Sequence, residues 1–398
     1  MLSVTDKPIL NLREDLLDSG KYAKSLAQFI SLSDTPVTIG LQGEWGTGKT
    51  SLMNLIREYV EDKDIATSWV NNWEYALFKD PVEITPSILQ GLLANLKESC
   101  GDNWILADET KAKWKKAVRL VGSLGNQIVK KQTGVDINQA AQGVSDEKII
   151  SLIAEIKIDI QDLIQRLISD EKNPYQRVVF FVDDLDRINP IQAVEVLEAL
   201  KNIFDLNHCV FVLAIDYDVV VKGLEGKFGK KTEENEREFR SFFDKIIQIP
   251  FTMPTSSYDI ESFLINKFSD LKLPDISENS KDFVRIVTNT VGYNPRSLKR
   301  FLNSFSLLNN LRNLSSDDQD EDFNILALFG LLGIQISYPK IFRLIAQNAD
   351  IISWDKAFAL RHHINLDDLA EKLSVFGDNE FVDEEWERII WGICQSDN

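Results

Sequence analysis

Cysteine is nearly missing from this chain: Cys100, Cys209 and Cys394 are the only three in 398 residues. They stand too far apart for a zinc-ligand spacing or a disulfide framework, so a reducing compartment is expected. Cys209 opens an apolar run and reads as a buried thiol. Histidine is as rare; His362 and His363 are adjacent in "LRHHINLDD" but lack a third ligand at metal-binding spacing. Basic residues are outnumbered, 44 Lys and Arg against 62 Asp and Glu, for a formal charge of −18. A field of that sign repels phosphates before any local contact forms, so nucleic acid is not expected as a main ligand. Long apolar runs are also lacking. A bilayer span needs about 20 apolar residues, and the best stretch, "FNILALFGLLGIQISYP" from Phe323, is stopped by Pro339 and reads as a buried core helix. The amino terminus, "MLSVTDKPILNLREDLL", carries acids early and has no run of signal-peptide length, which predicts a cytoplasmic location. No internal repeat is visible.

What is present is enough apolar material, 44% of residues, for a substantial core and a length that fits two domains. Short runs at "VTIGL", "IATSWVNNW", "RVVFFV", "CVFVLAI" and "KIIQIPF" are bounded by turn residues and alternate with helical patterns such as "TSLMNLIREYV". Strands buried on both faces and alternating with helices predict an α/β fold with a mostly parallel sheet covered by helices. After Pro254 the strand signals cease, and helical patterns run from "IESFLINKF" to "EEWERIIWGIC". The expected organisation is a core over residues 1–254, with a helical insertion at about 84–146, and a C-terminal helical region over 255–398.

Directly after the first strand stands "GEWGTGKT", Gly43 to Thr50, matching G-x-x-x-x-G-K-[ST]. In such a loop glycines let backbone N–H groups turn inward around phosphates, a lysine reaches the terminal phosphates, and a hydroxyl can ligate Mg²⁺. The helix beginning there adds its positive N-terminal end. Lys49 and Thr50 hold the last two roles. A second feature is "VVFFVDDLDRINP", an apolar strand ending in three aspartates and an arginine within five positions. Like charges so close stay ionised only if a cation or donor array meets them. The end of a parallel strand is where α/β sheets collect ligands, and Mg²⁺ carried with a nucleotide supplies the charge. Asp183 suits the metal, and Asp184 or Glu44 suits orientation or deprotonation of an attacking water. Asp186 and Arg187 are expected to pair with each other or to reach a neighbouring subunit. Trp45 could shield the phosphates or support the loop, and Trp73 reads as a packing anchor.

These residues resemble the KAP family of P-loop NTPases, a branch of the STAND-type ATPases. The resemblance rests on "GEWGTGKTSL", "VNNWEY", "FFVDDLDR", "VFVLAIDYDVV", "FFDKIIQIPFTMP" and "GYNPRSLKRFLN", in the family's order over roughly residues 15 to 312. It implies ATP with Mg²⁺, a core ATPase sheet followed by a helical lid, and roles in bacterial phage exclusion. By that resemblance Gly43, Glu44, Trp45, Gly46, Thr47, Gly48, Lys49, Thr50 and Ser51 surround the nucleotide, and Asp183 and Asp184 are the metal and hydrolysis carboxylates. Asp216 stands where a sensor of the terminal phosphate would sit, although it also suits a helix N-cap. Arg296 resembles the lid's sensor arginine. Arg237 and Arg240 are candidates for an arginine finger acting across a homo-oligomer.

Many relatives insert transmembrane helices between the two nucleotide motifs, and this chain has none there. In their place residues 109–131 form a basic amphipathic pattern, with Trp114, Val118 and Val121 on one face and Lys111, Lys115 and Arg119 largely elsewhere. Packing on the core, peripheral membrane contact, nucleic acid and docking on another subunit all fit it. Two functions follow: an ATPase, or a slowly hydrolysing nucleotide-dependent switch that recruits an effector protein in another chain. Transfer of phosphate to a small molecule is disfavoured, since the extra acids after Asp183 suit water attack.

Overall fold

A computed structural model describes residues 3–61, 63–76, 175–201, 205–315, 324–364 and 384–396, residue 95, and all of 157–169 except 159, 163 and 166. The insertion expected at about 84–146 and the basic segment 109–131 lie outside the described residues, apart from Asn95. The chain divides into two units, Lys7–Ser257 and Met1–Asp6 with Tyr258–Asn398.

The first unit is built on a five-stranded sheet of β1 (Val37–Gln42), β2 (Ile65–Asn71), β3 (Arg177–Asp183), β4 (Cys209–Ile215) and β5 (Ile249–Thr252). Every pairing is parallel and the order is β2-β3-β4-β1-β5. All seven residues of β4 and six of the seven in β3 are buried. That is why these strands read as unbroken apolar runs: both faces are covered. Successive side chains leave opposite faces, so Phe180 stacks on Phe211 at 5.0 Å on one side while Phe181 stacks on Trp69 at 5.2 Å on the other.

Helices α1 (Gly20–Leu32) and α2 (Lys49–Glu61) bury apolar stripes, Ala23, Leu26, Ala27 and Ile30 on α1 and Leu52, Met53, Leu55, Ile56 and Val60 on α2. The short α3 (Asn72–Ala76) follows β2, and α4 (Pro190–Lys201), α5 (Tyr217–Phe228) and α6 (Glu236–Asp244) come later in the unit, whose core also takes Ile160, Ile164 and Leu167 from helical residues ahead of β3. The strand expected from Lys245 begins only at Ile249. The amides of Ile246 and Ile247 both donate to the Phe243 carbonyl, at 2.9 and 2.7 Å, so the backbone there closes α6 and is unavailable to the sheet.

The second unit is helical: α7 (Ile260–Asp270), α8 (Ser280–Thr290), α9 (Pro295–Ser315), α10 (Ile325–Ser337), α11 (Pro339–Gln347), α12 (Lys356–Arg361) and α13 (Glu385–Ser396). Phe329 of α10 is its aromatic centre, with the rings of Phe301, Phe283 and Phe305 at 4.6, 4.8 and 4.9 Å. The apolar run that opens near Phe323 is thus buried along one face by Phe329 and Leu332, while Leu331 and Ile336 are exposed. A separate cluster gathers Trp354, Phe358, Ile389 and Ile393. Among the described residues no helix is long and apolar enough to cross a membrane.

Candidate nucleotide site

The loop between β1 and α2 is fixed to the sheet by the Gly43 amide, which donates to the Ile215 carbonyl at the end of β4 at 3.1 Å. Gly46 and Gly48 have φ of 90° and 99°, conformations that side-chain-bearing residues rarely adopt. Between them Thr47 closes a tight turn, its amide and hydroxyl both donating to the Glu44 carbonyl at 3.3 and 2.8 Å. Helix α2 begins at Lys49, and its opening-turn N–H groups lie outside the helix's own bonding, the arrangement that suits an anion. Glu44 and Trp45 are exposed at the loop's crest. Ser51, assigned to the nucleotide with its neighbours, accepts the Ile9 amide on its hydroxyl at 3.3 Å.

Lys49 is buried, and its ammonium donates to the carbonyls of Gly43 and Glu44 at 2.7 and 3.1 Å and to Asp186 at 3.0 Å. The expectation that Asp186 pairs with Arg187 is corrected: Asp186 takes Lys49, and Arg187 takes Asp184 at 2.6 Å. A 3-10 turn over Leu185–Arg187 causes the exchange, because it carries the two side chains toward different partners.

Asp183 and Asp184 diverge for a similar reason. Asp184 adopts a left-handed conformation, φ 58° and ψ 30°, which an aspartate tolerates better than most residues. Asp183 accepts from the Thr50 hydroxyl, joining the acidic strand end to the phosphate loop across the intervening β4, and accepts from the Asp184 amide at 2.8 Å. Burial pushes the Asp183 carboxyl up, opposed by the Thr50 and Asp184 donors. Asp184 faces the other neighbour, β2, where the Asn71 side chain donates to it. Its pKa is raised to about 6, by burial first and then by the adjacent Asp183 charge, with Arg187 acting against both.

Sequence reasoning took "VNNWEY" as a family mark and Trp73 as a packing anchor, and missed what its amides do. Asn71 pairs with Asp183 in the β2–β3 register, and the next residue, Asn72, is fully buried with its side-chain amide donating to the Asp183 carbonyl. Among the described residues the Asn72 Oδ1 has no hydrogen-bond partner. The signal was there in two adjacent amides ending an apolar strand, since buried amides need partners, but the partners lie more than a hundred residues away.

The remaining assigned residues make contacts of their own. Asp216 caps α5, accepting from the Asp218 amide at 3.1 Å. Arg240, on α6, pairs with Glu236 at 3.1 Å with its side chain 69% exposed. Arg296 belongs to the second unit, where its guanidinium donates to Asp6 at 2.7 Å. His362 packs its ring on Phe358 at 4.4 Å.

The donor set fits a nucleotide with Mg²⁺. Thr50 and Asp183 offer hard oxygens on the same side of the site, which suit Mg²⁺ when phosphates and water complete its shell. The loop offers a lysine, two glycines at positive φ and a helix start for the phosphates. A parallel α/β sheet with such a loop after one strand and an acidic end on another defines a P-loop NTPase.

The chain belongs to the KAP family: the family model described as the KAP family P-loop domain matches residues 20–312. A curated relative, the phage T7 exclusion protein of Escherichia coli (strain K12), is 23% identical over 335 residues, covering 76% of this chain. The chain spans 43% of that relative's length. A chain in the structure of Drosophila ORC bound to DNA aligns over 94% of this chain and 80% of its own, at 15% identity and a TM-score of 0.29, a likeness too low to carry an inference.

Proposed function

We propose that this chain binds ATP with Mg²⁺ and hydrolyses it, coupling nucleotide state to conformational change or assembly in bacterial anti-phage defence. The observation that carries the reading is the buried ion pair, at 3.0 Å, that joins Lys49 of the phosphate loop to Asp186 just past the end of β3, with Asp183 buried close by. Thr50 and Asp183 would hold Mg²⁺, which would supply positive charge against the charge developing on the phosphates. Lys49 and the loop amides hold the phosphates. Asp184 takes the proton of the attacking water. The water oxygen forms the new bond to the γ-phosphorus as the bond to the β–γ bridging oxygen breaks, leaving ADP and inorganic phosphate. Membership of a P-loop family supports nucleotide binding, and the name of the relative supports the defence role.

A homo-oligomer would bring an arginine from one copy to the nucleotide of another; Arg240 is the candidate, exposed at the surface and paired with Glu236. Arg296 would act as the lid's sensor.

A second reading has one observation in its favour. The Lys49 ammonium is satisfied within the chain by Asp186 and two carbonyls, a hydrogen-bond network with which phosphates must compete. That suits a slowly hydrolysing switch that recruits an effector in another chain. Calorimetric titration with ATP, turnover assays and particle mass with and without ATP·Mg²⁺ separate the two. An ATPase shows turnover that Asp184→Asn removes without loss of binding; a switch shows tight binding and assembly with negligible turnover. Undiminished ATP binding by Lys49→Ala overturns both.

A further inference from the structure

Two side chains that neither the phosphate loop nor the metal site uses meet on one carboxylate, and a third stands against one of them. Asn71, the last residue of β2, accepts the Trp73 amide on its Oδ1 at 3.1 Å, which leaves its Nδ2 to donate to Asp184. Arg187 reaches the same carboxylate at 2.6 Å. The guanidinium carbon of Arg187 stands 5.5 Å from the centre of the Trp73 ring, within range for an attraction between a cation and an aromatic face. Asp184 is thus gripped from β2 by an amide and from its own turn by a cation, and that cation is seated on an indole from α3.

The geometry has a reason to exist. A single carboxylate on a left-handed residue has rotational freedom about its side-chain bonds, and its backbone alone does not aim it. Two donors of fixed direction, one planar and forked, remove that freedom. Trp73 is 39% exposed and fills no core position, so packing alone does not account for an indole there. Its place beneath Arg187 does.

We propose that Asn71, Arg187 and Trp73 are positioning residues that hold the Asp184 carboxylate aimed at the attacking water, with Trp73 acting through Arg187. The proposal rests on the ATPase reading above, in which Asp184 receives the water's proton. Misplacement of a catalytic group by an ångström costs rate far more than it costs ground-state binding, so the three should share one kinetic signature.

The test measures single-turnover hydrolysis and nucleotide affinity side by side for Arg187→Met, Trp73→Ala, Trp73→Phe, Asn71→Ala and the double variant Trp73→Ala/Arg187→Met, with melting temperatures of the nucleotide-free proteins as a second readout. Arg187→Met should slow the chemical step ten- to a hundredfold with affinity within about twofold. Trp73→Ala should follow in the same direction, Trp73→Phe should recover most of the loss because a ring remains, and the double variant should be no slower than Arg187→Met. In melting, the losses from Trp73→Ala and Arg187→Met should likewise fail to add. Additive losses in both readouts, or affinity falling in step with rate, overturn the proposal. Asp184→Asn distinguishes the two levels: if it turns over like wild type, the assigned role of Asp184 fails. If it is inactive while Arg187→Met is normal, only the clamp fails.

Discussion

Replacing Asp186 by asparagine should tighten nucleotide binding and loosen the nucleotide-free fold at the same time. The Lys49 ammonium is 3.0 Å from the Asp186 carboxylate, and the two side chains are 7% and 5% exposed. Two unit charges at that distance attract by about 5 kcal/mol in an effective dielectric near 20, most of it offset by desolvation. What survives is the net worth of a charge-assisted hydrogen bond, about 1.5–3 kcal/mol. A phosphate that captures Lys49 must displace or share this partner, and Asp186 repels the phosphate besides. Asparagine keeps the shape and an acceptor oxygen but removes the charge. Nucleotide-free stability should therefore fall by about 1.5–3 kcal/mol in urea denaturation, while affinity for a non-hydrolysable ATP analogue should rise about tenfold or more, since 1.4 kcal/mol is a factor of ten. Calorimetry in EDTA and again with Mg²⁺ separates competition for Lys49 from any service to the metal. Unchanged stability together with affinity weakened tenfold would refute the reasoning, because Asp186 would then belong to the bound state and not to the resting one.

Other outcomes follow from single contacts. An alanine Cβ at Gly223 of α5 would lie 2.1 Å from the Pro190 carbonyl oxygen on α4, so Gly223→Ala must push the helices apart and should cost about 3 kcal/mol in urea denaturation, whereas Gly226→Ala, with nothing within 4 Å, should gain about 0.5–1 kcal/mol. Phe329→Ala removes the ring against which Phe301, Phe283 and Phe305 pack and should cost about 3–5 kcal/mol in the second unit; a loss below 1 kcal/mol would contradict that packing. Asp184, raised to about 6, favours folding when protonated, so its contribution is full below about pH 4 and is lost as pH rises through 6. Asp184→Asn should flatten that dependence and, in the nucleotide-free protein, make the variant more stable than wild type at pH 7.5 by about 1–3 kcal/mol, with no such advantage at pH 4. Denaturation at the two pH values checks the sign.

The strands of the sheet, the phosphate loop and the acidic strand end are local in the chain, and for that reason they are legible in the amino-acid sequence alone. A strand buried on both faces must be apolar along its length, as "VVFFV" and "CVFVLAI" are. A loop that wraps phosphates needs glycine where φ is positive, as at Gly46 and Gly48. The start of β5 is less legible, because "KII" is as apolar as a strand, and only the capture of two amides by the Phe243 carbonyl assigns it to the end of α6.

What the sequence could not decide is who partners whom. Lys49 and Asp186 are 137 positions apart, and Asp186 and Arg187 are neighbours of opposite charge that look paired when read along the chain. The 3-10 turn after β3 and the left-handed Asp184 part them, and the sheet order brings β2 against β3 so that Asn71 meets Asp184 and Trp73 receives Arg187. Residue type and periodicity are carried by the chain itself, since burial and backbone angles act residue by residue. Pairing of charges depends on distances of a few ångströms between segments remote in sequence, and those distances exist only once the sheet has closed its register.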